Sequence, residues 1–139
     1  MGYGMDLANA ARRHLEAANI LGAEALPRGR PDVAAYLYGV AGECALKELM
    51  RLSGMKPMDP TDKKADPFFL HFPELKAALR DTARGRRHAR LLVHAQNSDL
   101  FNGWDVKMRY APSADVMKQP RDTWATQAKQ LVEEMGGHS

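Results

Sequence analysis

The chain has 139 residues, 45 % of them apolar, one cysteine and a formal net charge of +3. That length and apolar content suit one packed domain and exclude a disordered chain, and no apolar run reaches membrane-spanning length. A lone Cys44 excludes an internal disulfide. With an N-terminus lacking the basic-then-apolar order of a signal peptide, it predicts a cytoplasmic protein.

The first predicted helix covers residues 5–25, where Leu7, Ala11, Leu15, Ala18 and Leu21 recur at three- and four-residue steps. Pro27, Gly29 and Pro31 break the pattern. Pro31 suits the first position of a second helix, with Asp32 at its positive end. Val33, Leu37, Val40, Cys44, Leu49 and Met50 form one stripe there, widened by Tyr36, Ala41, Ala45 and Leu46. So wide a stripe predicts a central helix touched by several neighbours. Gly39 and Gly42 within it predict close packing, Cys44 reads as an inert core thiol, and Gly54 is the natural stop.

Residues 55–71 carry three prolines and mixed charges, a long Pro-rich loop of the length that lids and binding segments use. Met55 and Met58 are candidates for lining a surface within it. His71 is predicted to cap a helix start or to pack on the loop. Pro73 opens a third helix with Leu75, Ala78, Leu79 and Thr82 inward. Gly85 is a kink or interruption before residues 86–97 continue as helix, offering Leu91, Leu92 and Ala95 to the core. Residues 98–119 read as irregular, with a turn at Asn102–Gly103. Pro120 opens a last helix whose inward stripe is Trp124, Ala128, Leu131 and Met135, ended by Gly136 and Gly137. Strand-like alternation and internal repeats are lacking. The predicted fold is all-α, one domain over residues 1–139, a bundle of four to five helices with the Pro-rich loop between the second and third.

Charge is concentrated in one place. Residues 80–90 hold five arginines and a histidine against Asp81 alone. On a continuous helix Arg80, Arg84, Arg87 and Arg90 make a single ridge. Such a ridge matches a row of phosphates, or equally an acidic protein surface; its plain alternative is a solvated face. Glu43 and Lys47, four residues apart in the second helix, suit a helical ion pair. A buried glutamate needs a partner, and Arg109 is the predicted one. The three residues then form a structural polar clamp tying residues 104–110 to the central helix. No histidine pair has zinc-like spacing with a third ligand, so neither metal nor cofactor is expected.

The stretch AAYLYGVAGECALKELM (34–50), a proline-rich loop, HFPELKAAL (71–79), WDVKMRY (104–110) and an amphipathic C-terminal helix together resemble the HEPN family, the higher eukaryotes and prokaryotes nucleotide-binding domain. The resemblance covers residues 31–135. It implies a small helical bundle, often a homodimer, of bacterial conflict or toxin–antitoxin-type systems. Some members cleave RNA without a metal; others bind nucleotides, RNA or protein partners. The family's ribonucleases carry an arginine followed a turn or two later by a histidine. Arg87 and His94 are the nominal match here, seven residues apart and so on one face of a continuous helix. Histidine can move protons between the 2′-hydroxyl and the leaving oxygen, and arginine can grip the phosphate. Three readings follow. The first is a non-catalytic protein binding RNA, nucleotide or an acidic partner through the arginine-rich helix. The second is a metal-independent ribonuclease toxin using Arg87 and His94. The third is an immunity or antitoxin protein contacting a cognate toxin or nucleotidyltransferase-type protein.

Overall fold

The computed structural model describes residues 4–57 and 66–137. Among them the fold is all-helical, with six α-helices and no strand. α1 (Leu7–Leu21) starts at Asp6, whose carboxylate accepts the Asn9 amide, and stops at Gly22, short of the predicted residue 25. α2 (Pro31–Leu52) begins with Pro31 in the first turn, as expected, and ends just before Gly54 at φ 93°.

α2 is the axis of the bundle. α1 and α6 (Arg121–Gly137) pack along it, and α4 (Ala89–Gln96) and α5 (Ser113–Met117) touch it at other points. Two glycines let aromatic rings lie directly on its backbone. A Cβ at Gly39 would stand inside the Trp104 indole, and one at Gly42 inside the Phe101 ring. Trp104 is fixed on three sides: its Nε1 donates to the Tyr36 carbonyl at 3.0 Å, its ring stacks on Tyr36, and its edge meets Phe72. Phe72 in turn stacks on Phe101. Phe101 has φ 51°, a conformation held in place by the Gln127 side chain, whose oxygen accepts the Phe101 amide. α6 buries Trp124, Ala128, Leu131 and Met135, the stripe that its spacing predicts.

Three sequence expectations need correcting. Residues 98–119 are not wholly irregular: a 3-10 turn spans Val106–Tyr110 and α5 follows it, so six helices form where four to five were predicted. α3 (Glu74–Thr82) and α4 are separate helices. Between them Gly85 takes φ 78° and Arg86–His88 form a 3-10 turn, which removes the continuous helix on which the arginine ridge depended. The buried face of α2 is also wider than the predicted stripe. Val33 is 39 % exposed, while Lys47 and Glu48 are buried along with Glu43, whose burial is the expected one. The reason is that α2 is enclosed by α1, α6 and the 72–104 segment at once, so polar positions are covered along with the apolar stripe. Part of the predicted Pro-rich loop, residues 58–65 with Met58, lies outside the described residues. Beside that gap, Met55 packs against the core and Pro67–Phe69 form a 3-10 turn. Among the described residues no helix is long and apolar enough to cross a membrane.

Candidate functional site

The basic segment becomes a corner between α3 and α4, and several of its arginines work inside the fold. Helices end with carbonyls that lack partners and a partial negative charge, so cations settle there. Arg80 donates to the Ala95 carbonyl at 2.9 Å, and Lys76, one turn earlier on α3, donates to the Asn97 and Leu100 carbonyls at 2.6 and 2.9 Å. Together they cap the C-terminal end of α4. Arg84 does the same for α3, donating to the Arg80 and Ala83 carbonyls. Arg87 lies against the end of α2, with its guanidinium 2.9 Å from where a Cβ on Gly54 would stand. Arg84, Arg86 and Arg87 are nonetheless exposed, and none of them is ion-paired to a carboxylate among the described residues.

Arg90 and His94 point instead to α6. Arg90 Nη2 donates to Glu134 Oε1 at 2.7 Å, and His94 Nε2 lies 3.0 Å from the same oxygen. Burial pushes the Glu134 carboxyl upward, but the hydrogen bonds from Arg90 and His94 outweigh it and hold the group below its ordinary value. These residues, with Asn97, Gln127 and Gln130, line a cleft of about 270 Å³. The nominal pair Arg87 and His94 does not share a helix face: Arg87 sits in the 3-10 turn over Gly54, and His94 turns to Glu134. Arg90 is the arginine beside His94.

The buried polar cluster on α2 has a partner other than the predicted one. Glu43 accepts the Phe72 amide at 2.7 Å and meets His71 Nδ1 at 2.9 Å. Arg109 does not reach it. That residue is exposed and lies 4.9 Å over the ring of Tyr110. Lys47 forms no direct ion pair with Glu43 but acts on it at longer range. Burial raises the Glu43 pKa, against the opposing pull of His71, Lys47 and the Phe72 amide. Burial likewise lowers that of Lys47 and raises that of Cys44. Glu43 therefore fastens the entry to α3 onto the central helix, twenty-eight residues away in sequence. The His71 side chain does not cap α3, which starts at Pro73 without a side-chain cap, and its link to Glu43 carries no spacing signal. Among the described residues no group of three His, Cys, Asp or Glu side chains is arranged to hold a metal ion.

No family model, no curated protein and no solved structure matches the chain.

Proposed function

We propose that this is a HEPN-like binding protein of a bacterial conflict or toxin–antitoxin-type system, which holds RNA by its phosphates at the α3–α4 corner without turnover. The observation that carries the reading is the set of exposed guanidinium groups of Arg84, Arg86 and Arg87 around Gly85, none of which meets a carboxylate among the described residues. Arginine forks match phosphate oxygens in pairs, and each phosphate neutralised releases a condensed counterion. The footprint is smaller than a ridge from Arg80 to Arg90: Arg90 is taken by Glu134, Arg80 reaches across to the Ala95 carbonyl, and Arg84 spends its Nη1 on the end of α3, so that Arg86 and Arg87 are its centre and Arg84 adds its remaining donors. The family part of the reading rests on the resemblance of the 34–50, 71–79 and 104–110 stretches to HEPN motifs.

The test is the affinity for a single-stranded RNA oligonucleotide measured across a salt series. Each phosphate contact adds about 0.7 to the log–log slope on a single strand. Replacing Arg84, Arg86 and Arg87 by Ala is expected to lower the slope by about 2. The double variant Arg86→Ala, Arg87→Ala leaves the α3 cap intact and is expected to lose about two thirds of that. An unchanged slope in both variants refutes the corner as the binding surface.

The ribonuclease reading keeps one specific observation in its favour, the convergence of Arg90 and His94 on Glu134 in an open cleft. It requires Arg90 to leave the carboxylate for a phosphate, while His94 moves the proton. Wild-type cleavage of RNA in the presence of a chelator, lost by about 10²-fold or more in His94→Ala, would replace binding by catalysis.

A further inference from the structure

The ion pair between α4 and α6 is unequal on its two cationic sides. Arg90 and His94 both hold Glu134, yet 66 % of the Arg90 side chain is in water and only 13 % of that of His94. His94 Nε2 lies 3.0 and 3.2 Å from the two carboxylate oxygens, whereas Arg90 reaches Oε1 alone, through Nη2 at 2.7 Å. The enclosed imidazole thus spans the carboxylate, and the exposed guanidinium adds one further bond. Pairs as solvated as Arg90 and Glu134 contribute little net stability, because both partners are well hydrated when apart. When Arg90 swings outward, His94 is left to keep Glu134 in place.

The position of Arg90 gives a released guanidinium a destination. It is the second residue of α4, directly after the 3-10 turn Arg86–His88 that carries the centre of the RNA footprint. It follows Arg87 by three residues, and the first turn of α4 contains no acidic side chain. The peptide N–H groups of that turn add partial positive charge. Phosphate competes with a carboxylate for arginine on equal terms, since both present paired oxygens to the guanidinium fork. A strand already held at Arg86 and Arg87 offers a neighbouring phosphate at high effective concentration, an advantage that free phosphate lacks.

We infer that Glu134 stands in for a phosphate on Arg90 in the free protein, and that an RNA strand bound at the α3–α4 corner displaces it, making Arg90 a further phosphate contact while His94 retains the carboxylate. This rests on the RNA reading above and adds its regulation. The carboxylate sets a threshold that a strand crosses with several phosphates at once and that a single phosphate ion does not. It also withholds one arginine from weaker anions until the corner is occupied.

The test is oligouridylate binding across a salt series, read by anisotropy on the full chain, with circular dichroism verifying that each variant is folded. Arg90→Ala is expected to lower the log–log slope by about 0.7. Glu134→Gln, which keeps the side-chain shape and gives up the charge, is expected to raise affinity about threefold. That gain should vanish when Arg90→Ala is already present. In the wild type, the Glu134 carboxyl carbon and the Arg90 Nε–H signals should shift on titration with oligouridylate and stay in place with inorganic phosphate at equal phosphate concentration. An unchanged slope in Arg90→Ala, with the slope still lowered by Arg86→Ala, Arg87→Ala, overturns the inference and leaves the RNA reading standing. A gain from Glu134→Gln that persists without Arg90 would be plain charge repulsion and overturns it too, as do Glu134 and Arg90 signals that ignore the strand. Wild-type binding without salt dependence removes the RNA reading and this inference with it.

Discussion

Two glutamates in this molecule meet a histidine at nearly the same distance, 2.9 Å for Glu43 and His71 and 3.0 Å for Glu134 and His94. Their surroundings are reversed. In the first pair the carboxylate is inside, with 5 % of its side chain exposed, and the histidine is half out. In the second the histidine is the more enclosed, at 13 %, and the carboxylate has Arg90 as a permanent cation beside it. The Glu43 pKa is accordingly raised and that of Glu134 lowered. The same two side chains thus give opposite electrostatics. What decides is which member is withdrawn from water and whether a third, unconditionally charged group is present.

The largest effect expected on either pair is from Glu43→Ala. It leaves the buried Phe72 amide and a half-exposed histidine without their acceptor, and should lower unfolding free energy by about 3 kcal/mol in a denaturant titration. A loss under about 1 kcal/mol would show that the carboxylate is a spectator. Glu43→Gln keeps an acceptor for Phe72 and removes the charge. Because the folded pKa of Glu43 is raised, folding favours its protonated form. Its contribution is complete below the ordinary carboxylate value and is lost as pH rises through the folded pKa. The glutamine variant should therefore gain on wild type as pH climbs through that window, and a flat difference would refute the burial argument.

Glu134 has the opposite sign. Its lowered pKa means that the ionised form stabilises the fold above the ordinary carboxylate value and that this contribution disappears as pH falls through the folded pKa. Glu134→Gln should lose about 1 kcal/mol at neutral pH, a figure kept small because the group is partly solvated. That loss should fade in acid. Equal losses at neutral and strongly acid pH would put the effect in packing and not in charge. The smallest change belongs to His71→Ala, expected to lie within about 0.5 kcal/mol, since the ring is half in water and Glu43 retains the Phe72 amide.

Much of the helical frame was readable from residues alone. Pro31, Gly54 and the Trp124–Met135 stripe sit where their chemistry suggests, because a helix start, a stop and a 3.6-residue period are local properties. The partners of the charges were not readable. Glu43 and His71 are 28 residues apart and His94 and Glu134 are 40 apart, so nothing in local spacing links them. The arginine ridge failed for a reason that the sequence hinted at. Gly85 marks the break, but only the folded chain shows that it takes φ 78° and that Arg80 and Arg84 donate to helix-end carbonyls while remaining exposed. Charge and the return of residues 104–110 to α2 together point to Arg109 as the partner of Glu43, while its actual neighbours are the rings of Tyr110 and Tyr36. The α5 turn was missed because five residues are too few to establish a period.

The contact between Gly39 and Trp104 has a consequence for how this chain can change over generations. A methyl at Gly39 overlaps the indole, and the indole cannot retreat because Tyr36 and Phe72 hold it. The two positions are therefore epistatic, and the order of substitution matters. Trp104 can first give way to a smaller side chain, at the cost of a cavity, after which alanine at Gly39 fills part of the space and becomes beneficial. In the opposite order the first step is a collision on the bundle's axis. Lineages that keep the indole inherit the glycine with it, as one unit of variation divided between two distant sites.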